Sequence, residues 1–143
     1  MADESLAPLA ELLPAQTELN GPHLEGLAAG ELRLQHCTQC GAYQYPPESF
    51  CFHCPSTDLE WKAVDGNGAV YSFIIVHQRY HPAFGDRLPY NVAVVELDEG
   101  PRMLSNVLDV EPDAVEIGMR VRARIETLGD EGAALFFERA AGA

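Results

Sequence analysis

All four cysteines of the 143-residue chain stand in one short stretch, Cys37-Thr38-Gln39-Cys40 followed by Cys51-Phe52-His53-Cys54. Each CxxC pair presents two sulfurs from a tight backbone knuckle. Two such knuckles brought together offer four soft ligands to one point, the donor set of a closed tetrahedral zinc site. Two disulfides would need an oxidising compartment, and the N-terminus shows no basic stretch followed by an apolar core and a small-residue cleavage site, so a cytoplasmic location is expected. One CxxC would suit a redox pair, and four cysteines would also suit an iron–sulfur cluster. With every thiol committed to paired knuckles, a structural Zn²⁺ held by Cys37, Cys40, Cys51 and Cys54 is the expected cofactor. His36 and His53 flank the knuckles as spare ligands and are expected outside the coordination sphere.

The chain is 47% hydrophobic, enough for a packed core, yet no run approaches the roughly 20 apolar residues that span a bilayer. No membrane association is expected. Twenty-two acidic residues against nine basic ones leave a net charge of −13. A phosphate-backbone binder needs the opposite sign over its contact face, so general nucleic-acid binding is disfavoured.

Residues 1–22 hold four acids and no lysine or arginine, and read as a flexible acidic arm or a short docking helix. Leu6, Leu9, Leu12 and Leu13 form a helical stripe within it, suited to a contact with the body of the protein or with a partner. After Gly21-Pro22 a second helical segment begins, weakened at its end by Gly30. Short strands are expected at 32–36, 42–45 and 59–64 around the knuckles. So small a module buries too little apolar surface to fold unaided, so metal must supply much of its stability. Tyr43, Tyr45, Phe50, Phe52 and Trp61 are expected to cover it.

Past the turn Asp65-Gly66-Asn67-Gly68 the periodicity becomes β. Strands are expected at 70–76, 90–97, 102–108, 119–127 and 133–139, with a helical or irregular link at 109–117. Five short strands in about 70 residues suggest a small OB-type barrel, with an open antiparallel sheet as the alternative. The expected units are 1–22, a helix plus ribbon over 23–65, and a barrel over 66–140.

Two groups of residues could carry chemistry. The connection at 77–90 is longer than a hairpin needs and contains His77, Arg79, Tyr80, His81, Phe84 and Tyr90, residue types that gather in binding loops. His77 or His81 would serve there as an acid–base group or as a polar anchor of the loop. No nucleophile motif or carboxylate pair accompanies them, which favours the anchor and leaves no catalytic residue to assign. Arg120, Arg122 and Arg124 follow at period two, so a strand would project all three from one face. That ridge could meet phosphates or an acidic partner, or simply balance an acidic surface.

Taken in order, several pieces resemble one family. They are Glu25-Gly26-Leu27, the paired knuckles, Trp61, the Gly66 to Gly68 turn running into Val70-Tyr71-Ser72-Phe73, His81-Pro82-Ala83-Phe84, Pro89-Tyr90, Val95-Glu96-Leu97 and Ile117-Gly118-Met119-Arg120-Val121. From about residue 23 onward the chain resembles the zinc-ribbon, acyl-CoA-associated OB-fold proteins. Pro55 departs from the small residue common after the last cysteine and leaves the ligands intact. The resemblance implies a mainly β architecture, a rubredoxin-like zinc ribbon packed on a five-stranded OB-fold barrel behind a helical segment. It also implies an accessory subunit beside a thiolase-like or lipid-transfer-protein-like enzyme that supplies the catalytic residues. Acyl-CoA would be the substrate, in thiolase-type condensation, acyl transfer or, closest in motif, retro-aldol cleavage of steroid side-chain CoA esters. The alternative class is a nucleic-acid-binding module, since zinc ribbons and OB folds occur in RNA and DNA binders too.

Overall fold

Glycine sets the point where the metal knuckles give way to the long strands. Gly66 takes φ +79°, and a Cβ there would lie 2.4 Å from the Ala123 Cβ; a Cβ on Gly68 would meet the Glu96 carbonyl oxygen at the same distance. Only glycine lets the turn run this close to two neighbouring strands.

The structure, a computed structural model, describes residues 3–141. A 3-10 helix at Glu4–Leu12 precedes α1 (Gly21–Ala28). Three ribbon strands follow, β1 (Leu32–Cys37), β2 (Tyr43–Gln44) and β3 (Leu59–Val64), paired in the order β2-β1-β3. The larger sheet comprises β4 (Asn67–Val76), β5 (Tyr90–Leu97), β6 (Arg102–Ser105), β7 (Val107–Leu108), β8 (Arg120–Thr127) and β9 (Ala133–Arg139), in the order β6-β5-β4-β8-β9-β7. No helix among the described residues is long and apolar enough to cross a membrane.

The third barrel strand, expected unbroken at 102–108, is instead split at Asn106. Buried Asn91 explains the break: its amide donates to the Val107 carbonyl at 2.8 Å and accepts from the Val107 N–H at 2.7 Å, while Asn106 Nδ2 donates to the Asn91 carbonyl. A side chain thus takes the place of a ladder partner. The first half stays on β5 and the second pairs in parallel with β9. Both ends of the sheet order are therefore adjoining parts of one stretch, which brings the sheet round on itself.

Residues 4–12 do not form a free arm. Leu6 and Leu9 are buried with Leu108, Leu128 and Phe136, and Ala83 and Phe84 pack on the same cluster. Leu6, Leu9 and in part Leu13 find their apolar receptor within the chain, whereas Leu12 of the same stripe is exposed; burying a leucine contributes roughly 1.5–3 kcal/mol. Helix α1 is held to β1 by buried His23, whose Nδ1–H donates to the Arg33 carbonyl at 3.0 Å. The main core contains Leu32 and Leu34 from the ribbon together with Val70, Val95, Val121 and Phe137 from the large sheet. Ribbon and barrel share one interior.

Candidate functional site

The two knuckles converge. Cys37 Sγ lies 3.6 Å from Cys54 Sγ, Cys40 Sγ lies 3.7 Å from Cys51 Sγ, and all four sulfurs fall within 4.8 Å of one another. A regular tetrahedron with Zn–S bonds of about 2.3 Å has edges of about 3.8 Å, so this donor set fits zinc. The contacts are too long for disulfides, which need about 2.05 Å. Backbone N–H groups of Cys40 and His53 point at Cys37 Sγ and Cys51 Sγ from 3.5 and 3.3 Å, stabilising thiolate charge from each knuckle.

The four sulfurs are not equivalent. The Cys40 N–H is the largest influence on Cys37 and, over the opposing effect of burial and with the Gln39 N–H, brings that thiol down to about 6. Burial is the main influence pushing Cys54 up to about 12, with neighbouring thiols adding to it. A metal entering the cluster must displace protons, so zinc affinity rises with pH. Neither flanking histidine is needed as a ligand: His36 pairs with Glu60 through Nδ1 at 2.7 Å, and the His53 side chain is exposed.

A pair of glutamines holds the second knuckle. Buried Gln35 donates to the Glu48 carbonyl and accepts from the Glu48 N–H; buried Gln44 donates to the Phe50 carbonyl and accepts from the Phe52 N–H. Gln44 Nε2 also donates to Gln35 Oε1 at 2.9 Å, joining the two amides. Sequence reading passed over these residues. Their signal was a glutamine at an inward strand position beside a metal knuckle, where a buried amide must find backbone partners. Tyr43, Tyr45 and Trp61 are half-buried, but Phe50 and Phe52, expected to cover the ribbon, are 50% and 45% exposed.

In the 77–90 connection, His77, Arg79 and Tyr80 are exposed. The Arg79 guanidinium lies alongside Gly85, where a Cβ would stand 3.6 Å from its Cζ. His81 Nδ1 accepts from the Ala83 N–H at 3.0 Å, capping the 3-10 turn at Pro82–Arg87, a role that orders the loop. Phe84 and Tyr90 stack with ring centres 4.5 Å apart. The structure therefore brings Phe84 and Tyr90 together and leaves His77, Arg79 and Tyr80 facing solvent.

The arginine ridge does form on one strand, but the chain supplies its counter-charges. Arg120 makes two bonds to Asp98 at 2.9 and 2.8 Å, Arg122 reaches Glu138 at 2.6 Å, and Arg124 meets Asp109 and Glu126 at 2.6 and 2.7 Å. A phosphate seeking these guanidinium groups would have to displace carboxylates already in place.

Comparison with known proteins gives two adjoining family matches, whose boundary falls inside β3. Residues 24–60 match the family described as ChsH2, rubredoxin-like zinc ribbon domain, and residues 61–126 match ChsH2, C-terminal OB-fold domain. The larger sheet is thus an OB fold. The chain is 41% identical over 108 residues to a probable enoyl-CoA hydratase alpha subunit of Thermomonospora curvata, an alignment covering 76% of this chain and 33% of the relative. It is 33% identical over 120 residues to the 3-oxo-4,17-pregnadiene-20-carboxyl-CoA hydratase alpha subunit of Mycobacterium tuberculosis, covering 84% of this chain and 38% of the relative. The chain spans about a third of the length of these relatives. Among solved structures, a chain of the Ltp2-ChsH2(DUF35) aldolase superposes with a TM-score of 0.81 at 36% identity, covering 90% of this chain and all of that one.

Proposed function

The chain belongs to the ChsH2 family of zinc-ribbon and OB-fold proteins, and on that premise we propose that it is the accessory subunit of an acyl-CoA-processing complex. It docks on a lipid-transfer-protein-like or thiolase-like catalytic subunit and helps to hold a CoA thioester, with retro-aldol cleavage of steroid side-chain CoA esters as the reaction. The observation that carries this reading is the match, over the full length of that chain, to one component of an aldolase whose name joins two proteins. The steroid-CoA name of the mycobacterial relative supports the substrate class.

The chain's own chemistry agrees with an accessory role. A zinc with four sulfur ligands has no open position for water or substrate, so it shapes a surface and does not activate a reactant. His81 already caps a turn. The 77–90 loop, with Arg79, Tyr80, Phe84 and Tyr90, and the strand bearing Arg120, Arg122 and Arg124 are the further contact candidates for partner or thioester.

The test is copurification followed by turnover. Tagged full-length chain is expected to bring down a lipid-transfer-like or thiolase-like protein in fixed ratio, and the pair, but neither alone, is expected to cleave a steroid side-chain CoA thioester. Full turnover by the isolated chain would overturn the proposal.

A further inference from the structure

We propose that the tip of the zinc ribbon is the anchor of the subunit interface: Phe50 and Phe52 seat in an apolar pocket of the catalytic subunit, while the adjoining acidic cleft receives a basic side chain from that pocket's rim. The inference rests on the accessory-subunit reading and assigns the docking surface within it.

Two phenyl rings left half in water are costly unless something covers them, and this pair is presented with unusual firmness. Their rings meet edge to face with centroids 6.0 Å apart. Both residues flank Cys51, so a zinc ligand fixes the chain between them. The Gln35 and Gln44 amides fix the backbone at Glu48, Phe50 and Phe52 from the buried side. Backbone ordering is complete before binding, leaving little entropy to lose on contact, the condition under which exposed aromatics become dominant interface residues.

The cleft beside Phe52 identifies the occupant. It measures about 420 Å³ and is lined by residues including Phe52, His53, Glu96, Glu99 and Arg102. Arg102 is already engaged, bonded to Glu96 at 2.9 Å and stacked 3.8 Å over the Tyr71 ring. Glu99 has a buried carboxylate oxygen, Oε1, with no hydrogen-bond partner among the described residues. Burial pushes the Glu99 carboxyl up, against the opposing effect of its own backbone N–H and with the charges of Asp98 and Asp65 adding to the rise. An ammonium or guanidinium entering the cleft would meet the Glu99 carboxylate that lines it. CoA phosphates would meet acids here, and a second copy would oppose one body of charge −13 to another. A basic-rimmed apolar pocket on a different protein fits both features.

The experiment measures affinity of the full-length chain for the catalytic subunit that copurifies with it. The double variant Phe50→Ala/Phe52→Ala, shown to retain one zinc per chain and an unchanged urea midpoint, is expected to bind on the order of a hundredfold more weakly. Glu99→Gln is expected to weaken binding about tenfold and to flatten its salt dependence. As a measurement free of any substitution, amide exchange at 48–53 in the unaltered chain is expected to slow on complex formation. Affinity of the folded double variant within twofold of the unaltered chain, or exchange at 48–53 unchanged in the complex, would overturn the inference and leave the accessory role standing. Protection of 48–53 by CoA alone, or loss of a homodimer in the double variant, would overturn it as well. If no catalytic subunit binds the unaltered chain, the accessory reading fails and the interface assignment with it.

Discussion

Stripping the metal is expected to unfold the ribbon and to lower the stability of the barrel in the same transition. The ribbon strands are short, and the interior of the knuckles is made of cysteine and glutamine in place of large apolar groups. Structural zinc in small modules contributes about 10–16 kcal/mol of binding free energy at neutral pH, and folding draws on it. Without that term the glutamine clamp has nothing to hold the knuckles against. The loss spreads because β1 supplies Leu32 and Leu34 to the main core, so β1 cannot detach without opening the barrel. Treatment with a strong chelator, or the substitution Cys51→Ser, should lower Tm by on the order of 10 °C or more, followed by circular dichroism. Re-uptake should tighten as pH rises, since at neutral pH Cys37, at about 6, is mostly thiolate while Cys54, at about 12, still carries a proton that zinc must displace. A metal-free chain melting at the same temperature as the zinc form would show that the site is not structural.

The parts of this molecule legible in its sequence are those with a local signature. Two CxxC knuckles specify a metal, and period-two apolar runs place most strands within a residue or two of their observed ends. What escaped depends on partners distant in the chain. The ridge Arg120, Arg122, Arg124 reads either as a phosphate or partner site or as balance for an acidic surface until the fold delivers Asp98, Glu138 and Asp109 to it. The opening leucines read as a loose stripe because their receptor, Leu108, Leu128 and Phe136, lies about a hundred residues away or more. Asn91 breaks a strand that its own sequence leaves continuous. Phe50 and Phe52 are the most instructive case: aromatics near a metal knuckle predict cover, yet the backbone beneath them is satisfied by Gln35 and Gln44, and so the rings turn outward. Spacing alone does not decide which side of a knuckle a ring occupies.

The shared interior has a second consequence, open to test with one kind of substitution at two sites. Leu34→Ala removes a side chain with no solvent exposure from the joint between ribbon and barrel, whereas Leu104→Ala removes one that is 72% exposed on β6. The first leaves a cavity between elements that cannot easily close on it, because β1 is held on one side by six register pairs with β3 and on the other by the packed core. Its expected cost is about 2–5 kcal/mol, against roughly 0.5 kcal/mol or less for the second. Urea unfolding followed by tryptophan fluorescence reports on Trp61 in the ribbon, and far-ultraviolet dichroism reports mainly on the larger sheet. Both probes should shift together for Leu34→Ala, because one core underlies both signals. Two separated transitions would mean that ribbon and barrel unfold independently. In that event the metal would set the ribbon's shape without setting its place on the barrel, and the alignment of the aromatic tip with the acidic cleft would need another cause than the leucine joint.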